Sequence, residues 1–343
     1  MQGQEVTMKS VWRTAACFAF IGFSTPALPW GAEGHEVVGA IADQLLAGHP
    51  TEQKVRDILG FKLREAGPWA DCIRSVKEDH GNFTYVHSSV FGRPCEGFRG
   101  PSEKDRMEDY AKRNWTNCTP YSGRKCHAEY HFADVSIHHY EYSRAYKGTF
   151  AHDIVQTINA AIDVLKGNPP RAPFSDSIKD KKEAIFLLAH MVGDLHQPLH
   201  VGSVYLTKYG KLVNPDGPAG FDKSTETEGG NQLDESPSMH TEWDAIPVDL
   251  HAGPPGALIE RAKQVPPTPG DVYDWAATWA SESVRASHTA FTAVTFRNDP
   301  DGEGWLVRRS DPDEYVKTQD KLKRDQLAKG GAHLAELLKT LLP

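Results

Sequence analysis

Residues 190–200 read HMVGDLHQPLH, three histidines and an aspartate set among apolar side chains within eleven positions. With the apolar run before it, this segment predicts a strongly apolar helix over 181–196. Ligand-type side chains on such a helix constrain the fold more than any other feature of the chain. His190 and Asp194 stand four apart and project from one helical face toward a shared point. Pro198 ends the helix, and His200 follows on a turned segment that can reach a different point nearby.

MHTEWD at 239–244 repeats the spacing with His240 and Asp244. One His/Asp couple on a helix is ordinarily a hydrogen bond or a core histidine with its partner. Two couples and a flanking histidine together point to zinc, which takes imidazole and carboxylate ligands in tetrahedral or slightly expanded sites. Further candidates are His35 in WGAEGH, Asp71 in WADCIR and His131 in YHFADV. Trp30 stands where removal of a leader would expose a new amino terminus, and a free α-amine with its own carbonyl can chelate a metal.

The rest of the chain reads as mainly helix. Apolar stripes at helical spacing run through 35–46 and 153–166, and Gly167, Pro169 and Pro170 end the second. Further helices are expected over 272–292 and 319–342. Alternating strand patterns are scarce. The stretches 92–127 and 203–238, rich in Gly, Pro, Asp and Lys, read as long loops. The expected class is all-α: one helical domain over 30–343, with an insertion at about 76–128.

The N-terminus has the form of an export signal. Lys9 and Arg13 precede the apolar run AACFAFIGF and then small residues and prolines, with Met8 as the expected start and 1–29 as the leader. That run is shorter than the ~18 residues expected of a membrane span. The mature protein is therefore expected to be secreted or periplasmic, without stable membrane association. The chain has 38 Lys and Arg against 46 Asp and Glu. Removing the leader takes Lys9, Arg13 and Glu5, leaving 36 against 45, a charge of −9. This argues against a nucleic-acid grip driven by a basic surface, but not against a site whose positive charge is bound metal. Cys17 leaves with the leader. The remaining Cys72, Cys95, Cys118 and Cys126 imply two disulfides in an oxidising compartment, with three pairings open. Asn82, Asn114 and Asn117 lie in glycosylation sequons.

Taken in order, W-G-x-x-G-H at 30–35, W-A-D at 69–71, H-F-x-D at 131–134, H-x-x-x-D-x-H-Q-P-L-H at 190–200, G-G-N at 229–231 and H-x-x-W-D at 240–244 resemble the zinc-dependent single-strand nuclease family. The resemblance implies a helical fold shared with zinc-dependent phospholipase C, and three zinc ions. It implies one ion on Asp71, His131, His190 and Asp194, a second on His200, His240 and Asp244, and a third on the Trp30 amine and carbonyl, His35 and a bridging Asp194. Phe132 would stack on a nucleobase and Asp134 would hydrogen-bond its edge, while His196 would pack behind the ligands. Asp71 and Asp194 are implied to act in catalysis. The expected activity is endonuclease and 3′-nucleotidase action on single-stranded DNA, RNA and 3′-nucleotides, giving 5′-phosphates. A zinc phospholipase C is the alternative; Asp244 where that branch usually has Glu, and H-F-x-D, favour the nuclease. His87 is a rival ligand inside the insertion, but it lacks the F-x-D that follows His131.

Overall fold

A computed structural model describes residues 31–87, 92–234, 237–300 and 304–343. Leader residues 1–29 and Trp30 therefore lie outside the described residues. The first half carries helices α1 (Ala32–Leu46), α2 (Pro50–Leu59), α3 (Leu63–Ala66), α4 (Trp69–Ile73), α5 (Pro101–Arg113) and α6 (Cys126–Glu129). The second half carries α7 (Ile154–Leu165), α8 (Lys181–His196), α9 (Met239–Asp244), α10 (Gly256–Lys263), α11 (Val272–Phe291) and α12 (Pro312–Leu341). Five short 3-10 helices and three two-stranded pairs complete the described elements, the pairs being β1 (Val76–Asp79) with β2 (Asn82–Tyr85), β3 (Val135–Ser136) with β4 (Gly202–Ser203), and β5 (Val294–Asn298) with β6 (Trp305–Arg309). Among the described residues no helix is long and apolar enough to cross a membrane.

α8 is the axis of the molecule. Asp180 caps it by accepting from Glu183 N at 2.9 Å, which satisfies one of the open N–H groups of the first turn. Every residue from Glu183 to His196 is buried, as the apolar run requires. α1, α4, α7, α11 and α12 pack around it, so the ligand-type side chains of α8 lie in the interior. α7 is capped the same way by Asp153 and α12 by Asp311, which is followed by Pro312 in the first turn. α12 starts seven residues before the expected 319.

The structure corrects one expectation about the insertion. Within 92–127, residues 101–113 form α5 rather than loop, and Met107 and Tyr110 are buried, with the Tyr110 ring 5.1 Å from that of Trp69. Its apolar residues make only a narrow stripe, Met107, Tyr110 and Ala111, among eight charged positions, which disguises it as a solvated loop. The cysteines pair as neighbours in sequence, Cys72 with Cys95 and Cys118 with Cys126. Of the three sequons, Asn114 is fully buried and its amide donates to Tyr110 O and Ser177 O, so in the folded chain it cannot accept a glycan.

Candidate metal centre and cleft

Four segments deliver buried ligand-type atoms to one place. α1 brings His35, α4 brings Asp71, the segment after α6 brings His131, and α8 brings His190 and Asp194. Asp194 is the hub. Its Oδ2 lies 2.9 Å from His131 Nδ1 and 3.1 Å from His190 Nε2, and its Oδ1 lies 3.2 Å from His35 Nε2 and 3.8 Å from His200 Nε2. His200 Nε2 is also 3.6 Å from Asp244 Oδ1, and His240 Nε2 is 3.5 Å from Asp244 Oδ2. The atoms resolve into three groups, each compact enough for one ion: His35, His190 and Asp194; Asp71, His131 and His190; His200, His240 and Asp244.

The backbone sets which ring nitrogen faces inward. His190 Nδ1 lies 2.8 Å from Gly67 O, His200 Nδ1 2.9 Å from His131 O, and His240 Nδ1 2.8 Å from Gly229 O. A carbonyl only accepts, so each Nδ1 carries a proton and each Nε2 is the nitrogen turned toward the cluster, free to offer a lone pair once it is deprotonated. Several inward atoms have no hydrogen-bond partner although fully buried: both nitrogens of His35, Asp71 Oδ2, Asp194 Oδ1 and His200 Nε2. The 3.2 Å approach of His35 Nε2 to Asp194 Oδ1 is thus a close contact without hydrogen-bond geometry. Buried polar atoms left unpaired are costly, and a cation among them removes that cost. The donor set, imidazole and carboxylate without thiolate, fits zinc.

Electrostatics follow the same geometry. Burial alone would raise Asp194, but His200, His190 and His35 around it hold its carboxyl well below the usual range. Burial pushes His131 down to about 4. For His200 burial also opposes protonation, yet Asp194 and Asp244 prevail and raise it to about 9.

Gly31 N–H donates to Asp244 O at 2.9 Å, so the start of the described chain is tied to α9 beside the third group. A cleft opens over the cluster, lined by Arg74, Tyr121, Arg124, His131, Phe132, Asp134, His200, Glu226, Glu228 and His240. The Phe132 ring meets Phe150 edge-on at 5.6 Å, and Phe150 stacks on Tyr121 at 4.6 Å. Burial, with Glu226 and Glu228 nearby, raises the Asp134 carboxyl to about 8. Gly148 permits this position: its φ is +85°, and a Cβ there would stand 2.0 Å from Asp134 O.

Every described candidate ligand therefore converges. His87 does not join them; it lies 3.4 Å from Glu96. His196 packs as expected, with Nε2 2.8 Å from His333 Nδ1 and its ring beside Trp279. Cys118, Glu129 and His152 also cluster, but the cysteine is in a disulfide and the other two bond each other at 2.8 Å. Sequence reading missed Arg74, whose guanidinium is 3.4 Å from Asp71 Oδ1; its position three residues after Asp71, at the C-cap of α4, is the available signal. It also missed Tyr121 and Arg124, which the Cys118–Cys126 ring carries to the cleft wall.

Comparison with curated proteins returned no match. A protein-family model, described as S1/P1 Nuclease, matches residues 30–343.

Proposed function

The chain belongs to the S1/P1 nuclease family, and we propose that it is a secreted, zinc-dependent endonuclease and 3′-nucleotidase acting on single-stranded DNA and RNA. The observation that carries the zinc part is the set of buried, inward-facing His and Asp atoms without hydrogen-bond partners, under a cleft that contains an aromatic ring and a carboxyl. In this reading Asp71, His131, His190 and Asp194 hold one ion, and His200, His240 and Asp244 a second. His35, Asp194 and the amine and carbonyl of Trp30 hold the third. When bound, zinc lowers the pKa of water and withdraws charge from phosphoryl oxygens.

The remaining work falls to side chains. Phe132 offers a ring face to a nucleobase, a contact that tolerates many bases and requires an unpaired strand. Asp134 meets the base edge; its carboxyl accepts no hydrogen bond from another described residue. Arg74, beside Asp71 and open to the cleft, is placed to donate to a non-bridging phosphate oxygen. Asp71 orients the attacking water. Water adds to phosphorus and the 3′ oxygen departs with a proton, so products carry 5′-phosphates. The two disulfides support an oxidising compartment.

The test offers mature protein single-stranded DNA, a 3′-nucleotide and phosphatidylcholine, with zinc and then with chelator. Zinc-dependent release of 5′-phosphate products and of phosphate from the 3′-nucleotide is expected. Hydrolysis of the lipid alone would overturn the reading in favour of a phospholipase C.

A further inference from the structure

A group of basic side chains on the β5–β6 hairpin and the turn packed against it takes no part in the site. In the β5–β6 hairpin Thr295 pairs with Arg308 and Arg297 with Leu306. Alternation turns Phe296, Trp305 and Val307 onto a small apolar core with Leu206, Leu233 and Trp243, and leaves Arg297 and Arg308 exposed on the outer face. Among the described residues neither arginine makes an ion pair. Arg309, one residue on, points the other way and is paired with Glu242 and, at 3.6 Å, with Asp234. Pairing is also the rule elsewhere, as for Arg106, Arg113, Arg171 and Arg324.

Against this hairpin sits the turn at 207–211. Gly210 has φ +75°, and a Cβ there would come within 2.2 Å of Phe296 O and 2.9 Å of Arg297 N, so the turn touches the hairpin backbone. Trp305 Nε1 donates to Thr207 O at 2.9 Å. The turn carries Lys208 and Lys211, neither in an ion pair among the described residues, and Tyr209, which is 69% exposed with Lys208 Nζ 5.0 Å from its ring centre. Two arginines, two lysines and an open aromatic ring thus gather on a chain whose formal charge is −8.

The turn leads directly from the cleft. Tyr205 O–H donates to Asp134 O at 2.7 Å, and Tyr205 bridges to Glu226 on the cleft wall. Four residues of chain reach at most about 14 Å, so the Tyr209 backbone lies no farther than that from the Tyr205 backbone, a span of roughly four stacked nucleotides at ~3.4 Å each. We propose that Arg297, Arg308, Lys208, Lys211 and Tyr209 form a second contact surface for single-stranded nucleic acid, holding the strand that flanks the scissile phosphate. The cations take backbone phosphates and Tyr209 stacks a base, which is how unpaired strands are held without sequence preference. The inference rests on the nuclease reading and adds to it an explanation for long substrates.

The experiment uses zinc-loaded mature protein and the triple variant Arg297→Ala, Arg308→Ala, Tyr209→Ala, all exposed positions. Each is assayed on a 3′-mononucleotide and on a single-stranded oligonucleotide of about 20 residues, longer than a typical single-domain footprint. For the oligonucleotide, kcat/KM should fall about tenfold or more through KM. Its salt dependence should flatten by a log–log slope of about 1.4, two phosphate contacts at ~0.7 each. The mononucleotide kinetics should not move. Unchanged oligonucleotide kinetics, or an equal loss on both substrates, would overturn the proposal. So would substitution-sensitive binding to phosphatidylserine vesicles with unchanged oligonucleotide kinetics, which would assign the face to lipid. Failure of the nuclease reading is separately visible, as a wild-type protein that hydrolyses neither substrate.

Discussion

Glu129→Gln should destabilise the fold by about 3 kcal/mol and loosen the cleft wall. Glu129 is fully buried and accepts four hydrogen bonds. Oε2 takes Tyr121 N–H at 2.8 Å and His152 Nε2 at 2.8 Å; Oε1 takes Ser122 N–H at 2.6 Å and Ser122 Oγ at 2.6 Å. Glutamine keeps one oxygen and replaces the other with a donor. Ser122 Oγ can rotate to accept, and His152 can present an unprotonated nitrogen, but Tyr121 N–H and Ser122 N–H have no such freedom. One backbone N–H is therefore left unpaired, at about 1–3 kcal/mol, and the surviving bonds lose the extra strength of a charged acceptor, another ~1 kcal/mol or so. Burial opposes the charge on Glu129, yet His152, Ser122 and the two N–H groups hold its carboxyl down at about 2 against an ordinary 4.5. A depressed carboxyl contributes stability fully above its ordinary value and loses it as pH falls through the folded one. The gap between wild type and variant should therefore be constant above about pH 5 and close between pH 4.5 and 2. Urea titrations in chelator, which removes any metal contribution, measure it. A gap under about 0.5 kcal/mol at neutral pH would refute this account of the loop.

Other consequences are independent of that network. Gly148→Ala combines a positive φ with a Cβ 2.0 Å from Asp134 O, so it should cost about 2 kcal/mol or more and raise KM for a 3′-nucleotide; an unchanged KM would remove Gly148 from base binding. Asp194→Asn removes the charge that His35, His131, His190 and His200 all face, and should cut both zinc content and activity by more than about a hundredfold; elemental analysis beside a rate assay checks it. One extra residue before Trp30 should abolish one zinc site and the activity, read by metal stoichiometry, and full retention of both would end the terminal-ligand idea.

What could be read in advance was whatever announces itself by local pattern. α1, α7, α8 and α11 carry broad apolar stripes, the last three with Asp caps as well, and their spans agree with expectation within a few residues. α5 escaped because the apolar part of its buried face is three residues wide. The His and Asp pairs were legible because an i, i+4 spacing on a helix fixes a common direction. Their orientation was not, since it depends on the carbonyls of Gly67, His131 and Gly229, which no side-chain pattern reveals. The cleft wall was equally hidden: the Cys118–Cys126 ring reaches Phe132 only through the fold, with the Arg124 guanidinium 5.9 Å from that ring and paired at 2.6 Å with Glu228.

The central claim is that these buried groups bind zinc and that zinc binding and strand cleavage are one property. Titrating zinc into metal-free mature protein, while measuring bound ions and 5′-phosphate release from single-stranded DNA on the same samples, tests it directly. The expected result is three ions per chain, with cleavage absent at the start and rising as the sites fill. Cleavage at full rate with no zinc bound, or full occupancy with no cleavage, would contradict it.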